Sequence, residues 1–337
     1  NFSGGILLDL VDGLHLTVDY YQIDIDARVV LTDNLGASGT ASQKAAGQES
    51  KAPKLDKDIF GGSFGGPIQH SKLFFFANLE SLKESSEAPV VRNVPSNSMR
   101  DGVLMYQCAT AAACPGGSVR GVSNTHTVPA GWYGMAPSEI AAIDPLGIGP
   151  SQAAMQYFRQ FPAPNDPGRD NRNLMDYRFA APIENDFFNL VSRVDYKAAD
   201  NHSFFARVGK QDDTINTAPQ FENLDPLRQR LFNNWGGAIG YDAVISPTLT
   251  NSFRYGFTKI DENNAGLTNS NYNTFRFISP YDGLGSSFTD TRQTPTQNFV
   301  NDLSWFKNQH TFKVGTNIRF TRVPKERFQS SYLSSQV

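Results

Sequence analysis

The chain has 337 residues, enough for one large β-domain or two ordinary domains. Its formal net charge is −3 and its acidic and basic residues are interspersed, so nucleic acid is not expected as a partner. Charged residues make up 19% of the chain and aromatic residues 12%, a composition that favours strands and turns over helices. No stretch approaches the roughly 20 apolar residues of a membrane-spanning helix, so none is predicted.

The first predicted element is a β-hairpin within residues 1–35. Its apolar pattern changes phase between Tyr20 and Tyr21, which predicts a β-bulge inside the strand. Residues 36–57 are rich in Gly, Ala, Ser, Gln and Lys and predict a flexible loop or linker. Because Asn1 begins directly in domain-type sequence, we expect that a signal peptide has been removed or that the chain is a fragment.

The remaining residues, 58–337, predict a series of β-hairpins with short turns. Three turns share Asn or Gln, then His, then Ser or Thr, and each precedes an aromatic strand; these are Gln69–Lys72, Asp200–Ser203 and Asn308–Thr311. Val11–Gly13 and Ser246–Thr248 are expected to play the same part.

The strands beside these turns alternate apolar and polar residues, so that one face is apolar and the other carries charge. Phe253 and Tyr255, for example, alternate with Ser252 and Arg254. The surface beside the apolar face could be lipid or the core of a β-sandwich. Three features favour lipid: the strands are about 10–12 residues long, aromatic residues lie near strand ends, and short turns alternate with long connections. We therefore predict an all-β fold, an antiparallel transmembrane β-barrel segment of about ten strands that forms a partial barrel or an open curved sheet.

The longest predicted connection runs from about residue 84 to about residue 185 and would be an outer loop of the barrel. It contains short helical signals after Ser96, at Ser138–Ala142 and after Ser151. Cys108 and Cys114 lie in this connection, where they form either a small-loop disulfide or two free thiols.

An ordered series of motifs resembles the TonB-dependent outer-membrane receptors, specifically the Oar-like branch with carboxypeptidase-regulatory-like domains. Phe60–Ile68 followed by Lys72–Phe76 resembles the first barrel hairpin of that branch. Segments that begin at Val94 and Ile143 resemble the long loop that follows this hairpin. The later turns of that branch resemble Arg193–Tyr196 with Phe205–Arg207, and Ile245–Leu249. The resemblance covers about residues 58–325.

This resemblance implies uptake in which a ligand binds outside the cell and an inner-membrane complex pulls on a plug to open the pore. We find no plug domain in the sequence and no N-terminal box that would contact TonB. Gly13–Ile25 also resembles a hairpin found late in classical receptors, although here it comes first. A receptor fragment, a rearranged gene and a join between two receptors would each explain that order.

The charged residues of the alternating strands are the candidate functional residues, because they would face the lumen. They are Arg193, Asp195, Arg207, Arg254, Asp302, Lys313 and Arg319. We assign no catalytic, cofactor-binding or metal-binding residue. Gly61–Gly66 is not followed by the Lys and Ser/Thr pair of a phosphate-binding loop, and the five histidines lack the close spacing of metal ligands.

The function expected from these features is that of the barrel portion of a receptor or transporter in the bacterial outer membrane. Its expected partners are outer-membrane lipid, an unknown extracellular ligand, and the TonB complex only if missing sequence supplies a plug. A surface-exposed structural or adhesive β-protein without transport is the alternative. Enzymes also occur among outer-membrane barrels, so a barrel enzyme remains a further alternative, although we expect no catalysis.

Overall fold

The computed structural model describes residues 2–11, 14–25, 55–168, 172–266, 272–274, 278, 289–328 and 334–336. The long strands are β1 (Phe2–Val11), β2 (Leu14–Ile25), β3 (Leu55–Gln69), β4 (Leu73–Pro95), β9 (Leu174–Ala199), β10 (His202–Asn216), β11 (Arg228–Ser246), β12 (Leu249–Gly266), β14 (Thr289–Lys307) and β15 (His310–Thr321). The short strands are β5 (Leu104–Gln107), β6 (Gly117–Arg120), β7 (Thr125–Val128), β8 (Trp132–Met135), β13 (Tyr272–Thr274), β16 (Lys325–Phe328) and β17 (Ser334–Gln336). The helices are α1 (Asn97–Arg100), α2 (Pro137–Ile143) and α3 (Gln152–Phe158), with a 3-10 turn at Ala111–Ala113.

The long strands form one antiparallel sheet in the order β1-β2-β3-β4-β9-β10-β11-β12-β14-β15, and β16 also pairs with β14. Neighbours along this path are consecutive long strands, as in a meander of hairpins. Among the described strands β1 and β15 each have one neighbour, so the sheet is open. The predicted all-β fold of about ten antiparallel strands is therefore confirmed, in its open form.

The short turns lie together at one end of the sheet, because they are every second connection of an antiparallel meander. Turns occur at His70–Lys72, Asp200–Asn201, Pro247–Thr248 and Asn308–Gln309, as the sequence predicts. Ser71 and Asn308 adopt left-handed backbone conformations there, with φ of 61° and 55°. The turn expected at Val11–Gly13 has residues 12 and 13 outside the described residues.

The long connections lie at the opposite end of the sheet. Residues 96–173 form the longest one, which we call the outer loop, and 217–227 join β10 to β11. The outer loop is shorter than the expected 84–185, because β4 and β9 remain paired from Leu73 with Tyr196 to Pro95 with Leu174. Residues 84–87 carry polar side chains on both faces, so the alternation that predicts a strand is absent there. The backbone can still pair, because pairing does not depend on alternating side chains.

Two further expectations about the strands are wrong. Several strands are much longer than about 10–12 residues; β9 has 26 residues, so it extends well beyond the 9–11 that cross a bilayer. The bulge expected between Tyr20 and Tyr21 is absent, since both residues pair regularly with β1 and β3. The irregularity of this hairpin lies between Asp9 and Val11 instead.

The linker expected at 36–57 lies outside the described residues up to residue 54, and β3 begins at Leu55.

The most deeply buried apolar cluster lies at the outer-loop end of the sheet and includes Val94 of β4. Phe161 is 1% exposed and packs edge-on against Phe221 of the next connection, with ring centroids 5.7 Å apart. Arg92 of β4 donates to the carbonyl oxygens of Pro219 and Gln220, which ties the connection 217–227 to the outer end of β4. The outer loop is thus a packed unit that rests on its neighbour.

The three helices expected in the outer loop are confirmed as α1, α2 and α3. Ser96 and Ser151 act as N-caps of α1 and α3, with side chains that accept hydrogen bonds from the backbone N–H groups of Met99 and Ala154. A disulfide joins Cys108 to Cys114 in the same loop. No helix in the described residues is long and apolar enough to cross a membrane.

Candidate functional site: the charged face of the sheet

Strand register divides the sheet into two chemically different faces. One row across six strands consists of Val194, Ala206, Ile239, Tyr255, Phe299 and Ile318. We call the face that carries this row the apolar face; Ile239 and Ile318 are about half exposed on it, at 52% and 47%. Rings of neighbouring strands stack along it, as Phe204 does on Tyr241 with centroids 4.6 Å apart.

The charges predicted to face the lumen all lie on the opposite, polar face. Cross-strand partners share a face, and residues two apart on a strand do too. One row runs from Arg193 through Arg207 to Asn298 and Arg319. The next row contains Asp195, Phe205, Gly240, Arg254 and Val300. Asp302 and Lys313 share this face, since Asp302 lies two residues from Val300 and Lys313 pairs with Ser304.

Near the short-turn end, two arginines of this face enclose one aromatic ring. Arg193 donates two hydrogen bonds of 2.7 Å to Asp195, and Arg254 donates two of 2.8 and 2.7 Å to Asp242. The guanidinium carbons lie 4.4 and 5.1 Å from the centroid of the Phe205 ring. Each arginine therefore combines a charge-assisted pair with a cation–π contact. We call these five residues the Phe205 cluster.

Gly240 makes room for the ring at the centre of this cluster. It pairs with Phe205 across the strands, and a Cβ placed at residue 240 would lie 2.1 Å from the Phe205 ring. Any side chain at this position would therefore displace the ring. The Phe205 cluster lines a recess of about 600 Å³, which Asp302 also borders.

The remaining candidate charges do not belong to the Phe205 cluster, although Arg207 pairs in register with Arg193. Arg207, Lys313 and Arg319 make no ion pair among the described residues, and the Asp302 carboxylate lies above Gly315, where a Cβ would meet it at 2.3 Å. The sequence prediction omitted Phe205 and Asp242. Asp242 could have been found from its alternation with Tyr241, but its pairing with Arg254 requires the strand register.

Gly61–Gly65 matches the sequence pattern Gly-x-Ser-x-Gly of the serine nucleophile elbow. The elbow needs a sharp turn from a strand to a helix, whereas Ser63 lies in the middle of β3. Its hydroxyl forms a 2.6 Å hydrogen bond with that of Thr17 on β2. The motif therefore lacks the geometry of a nucleophile in this fold.

The histidines are dispersed, in keeping with their spacing in the sequence. His202 forms a 2.8 Å hydrogen bond between Nδ1 and the hydroxyl of Tyr241 and stacks on that ring. His15 pairs with Asp9, and His126 lies in the outer loop. Within the described part of the chain, no group of three or more His, Cys, Asp or Glu side chains is arranged to hold a metal ion.

The outer loop has its own charged anchor, Asp101, whose side chain is 7% exposed. Its carboxylate accepts hydrogen bonds from the backbone N–H groups of Ser123 and Asn124 and forms a 2.9 Å contact with Nε2 of His126. Burial raises the pKa of Asp101, but the hydrogen bonds from Asn124, His126 and Ser123 outweigh it and hold the pKa below its ordinary value. The ionised carboxylate thus stabilises the loop.

We expect the outer loop to become sensitive to protease through Asp101 when the pH falls below about 4. Because its pKa is lower in the folded loop than in the unfolded chain, its contribution is complete above the ordinary pKa of about 4 and is lost as the pH falls through the folded value. Limited proteolysis between pH 7 and pH 3 should show increasing cleavage within residues 96–173, while Asp101→Asn should be cleaved readily at every pH. Equal acid sensitivity in both proteins would contradict this role.

Comparison with known proteins agrees with the two-faced sheet. The family model described as an outer membrane beta barrel domain matches residues 30–336. Among solved structures, the CymD monoaromatic hydrocarbon channel matches with 9% identity over 97% of this chain and 79% of that chain, at a TM-score of 0.19, which is too low to support any argument. No curated protein matches the chain. On the strength of the family match, this chain belongs to the outer membrane beta barrel domain family, and its location is the bacterial outer membrane.

Proposed function

We propose that the chain forms part of the wall of a TonB-dependent receptor of the Oar-like branch, which takes up an extracellular ligand with energy from the inner membrane. The observation that carries the proposal is the division of one sheet into an apolar face and a charged face, as expected of a wall between lipid and a lumen. Outer-membrane lipid and the ligand are then its direct partners. The TonB complex becomes a partner when further sequence supplies a plug.

The placement of the receptor-like motifs supports this proposal. Phe60–Ile68 and Lys72–Phe76 form the β3–β4 hairpin, and Arg193–Tyr196 pairs with Phe205–Arg207 in the next hairpin. Ile245–Leu249 forms the short turn after that. Motifs that follow one another in sequence therefore occupy successive hairpins of one wall, with their turns at the end we assign to the periplasm.

The Phe205 cluster suits a wall that faces water and a partner, not a reaction centre. Both of its arginines are neutralised by carboxylates within the same recess, which holds the ring and the charges in fixed positions. Arg207, Lys313 and Arg319 then supply the charge that a plug or a passing solute would meet. We propose that the protein transports a ligand and catalyses no reaction. Selective labelling of Ser63 by a serine-reactive phosphonate would contradict the absence of catalysis.

Conductance measurements test the proposal with the full chain. The chain is refolded in detergent, reconstituted into planar bilayers and measured in potassium chloride. We expect conductance whose anion preference falls when Arg207→Gln, Lys313→Gln and Arg319→Gln are combined, because these charges face the lumen. As a control, Arg120→Gln changes an exposed charge of the outer loop. An anion preference that stays unchanged in the triple variant would overturn the assignment of these charges to a conducting lumen and favour a structural or adhesive wall.

Energy coupling needs a separate test in cells that carry the complete gene. Binding of TonB is measured by disulfide cross-linking between cysteines introduced into TonB and into the short-turn end, at Asn201→Cys and Gln309→Cys. We expect cross-links at this end and none from Gly147→Cys in the outer loop, because the two ends lie on opposite sides of the membrane. Cross-links from Gly147→Cys alone would reverse the orientation and overturn the assignment.

A further inference from the structure

The outer loop contains a second charged recess, distinct from the Phe205 cluster. Its volume is about 580 Å³, and its lining combines residues from α1, from the end of α3 and from the segment Ser123–His126. Arg100 and Arg159 supply its positive charge. Asp101 is the one acidic residue in the described lining.

The two arginines are held together by reciprocal hydrogen bonds. A guanidinium nitrogen of Arg100 donates to the backbone oxygen of Arg159 at 3.2 Å, and Nε of Arg159 donates to the backbone oxygen of Arg100 at 3.3 Å. Burial lowers the pKa of Arg100, and the nearby charge of Arg159 lowers it further. Two like charges are thus kept close together by the backbone, although they repel each other.

Most of the donor capacity of these arginines is left over. A guanidinium carries five N–H donors, and in the described residues each of these side chains makes one hydrogen bond to protein. The nearest carboxylate is that of Asp101, 3.9 Å from Arg159, and its oxygens already accept from Ser123, Asn124 and His126. Asp101 therefore fixes the wall of the recess and neutralises the two arginines only in part.

We propose that this recess is a binding site for the oxyanion group, phosphate or carboxylate, of a small soluble ligand on the extracellular side. The geometry of paired guanidinium groups matches an oxyanion, which accepts several N–H donors at once and relieves the repulsion between the two cations. The side chains of Asn97 and Thr125 also line the recess and offer neutral hydrogen-bonding groups. The site goes beyond the transport proposal, because it selects a class of ligand and acts in the outer loop whether or not the wall conducts.

Isothermal titration of the full chain in detergent micelles tests the site with inorganic phosphate and acetate as probes. Choline chloride at equal ionic strength serves as the control for nonspecific salt effects. We expect Arg100→Gln and Arg159→Gln each to weaken phosphate binding about tenfold or more, since one charge-assisted interaction is removed. Arg120→Gln, which removes an exposed arginine of the same loop outside the recess, should leave the affinity unchanged.

Folding of the loop is checked separately, because the arginines also hold α1 to the end of α3. The double variant Arg100→Lys with Arg159→Lys keeps both charges but not the planar N–H donors, so it should bind phosphate more weakly than the unaltered chain, whereas the corresponding double Gln variant should lose binding. Limited proteolysis of residues 96–173 shows whether each variant keeps its loop structure. Absence of phosphate and acetate binding by the unaltered chain would overturn the proposal, as would equal binding by the double Gln variant.

Discussion

Replacing Ile318 by Lys should destabilise the inserted protein by about 2–4 kcal/mol if the apolar face contacts the middle of the bilayer. Ile318 lies on β15 opposite Phe299, with 47% of its surface exposed and no layer of the described residues covering it. A lysine there must place its ammonium group in hydrocarbon or bend toward the interface. The free energy of unfolding is measured by urea titration in phospholipid vesicles.

Asn317→Lys is the matched control, because Asn317 precedes Ile318 on the same strand and faces the opposite way. It pairs with Val300 in the polar face beside Asp302. The same new charge should then cost less than about 1 kcal/mol, since it remains in contact with water. Equal costs at 317 and 318 would mean that the two faces meet the same environment, and the assignment of lipid to one of them would be wrong.

Replacing Gly240 by Ala should cost about 1–3 kcal/mol, a large effect for one added methyl group. The methyl would overlap the Phe205 ring, which cannot move freely because Arg193 and Arg254 lie against it. Displacement of the ring would disturb both arginine–carboxylate pairs together. Urea titration in vesicles again reports the free energy of unfolding.

A double-mutant cycle identifies the cause of this loss. In a Phe205→Ala background, Gly240→Ala should cost little, because the obstructing ring is gone. Gly256→Ala is the control on the next strand; a Cβ there meets nothing closer than 4.0 Å, so the substitution should change stability by under about 1 kcal/mol. If Gly240→Ala costs as much without the Phe205 ring as with it, the steric explanation fails.

The faces of the sheet could be predicted because they depend only on local alternation. Arg254 between Phe253 and Tyr255 already shows that charged and aromatic side chains point in opposite directions. The short turns were equally readable, since a few polar residues interrupt each alternating run. These features place every predicted lumen charge on one face without knowledge of the partner strands.

What escaped prediction depends on contacts between distant residues. The Arg254–Asp242 pair joins β12 to β11, and the packing of Phe161 on Phe221 spans 60 residues of chain; neither follows from local periodicity. The outer ends of β4 and β9 were missed because Glu84–Glu87 carry polar side chains on both faces and interrupt the alternation of β4. The Arg100–Arg159 pair was also missed, because it brings together the ends of two short helices that are distant in the sequence.

The position of the buried cluster around Phe161 gives the two parts of the chain different tolerance to changes of shape. Lipid chains are liquid and can fill the space left by a smaller side chain on the apolar face. The neighbours of Phe161 are fixed protein atoms, so a smaller residue there leaves a void that nothing fills. Apolar side chains of the apolar face can therefore be exchanged for one another during evolution. In the interior of the outer loop, several residues must change together to preserve the packing.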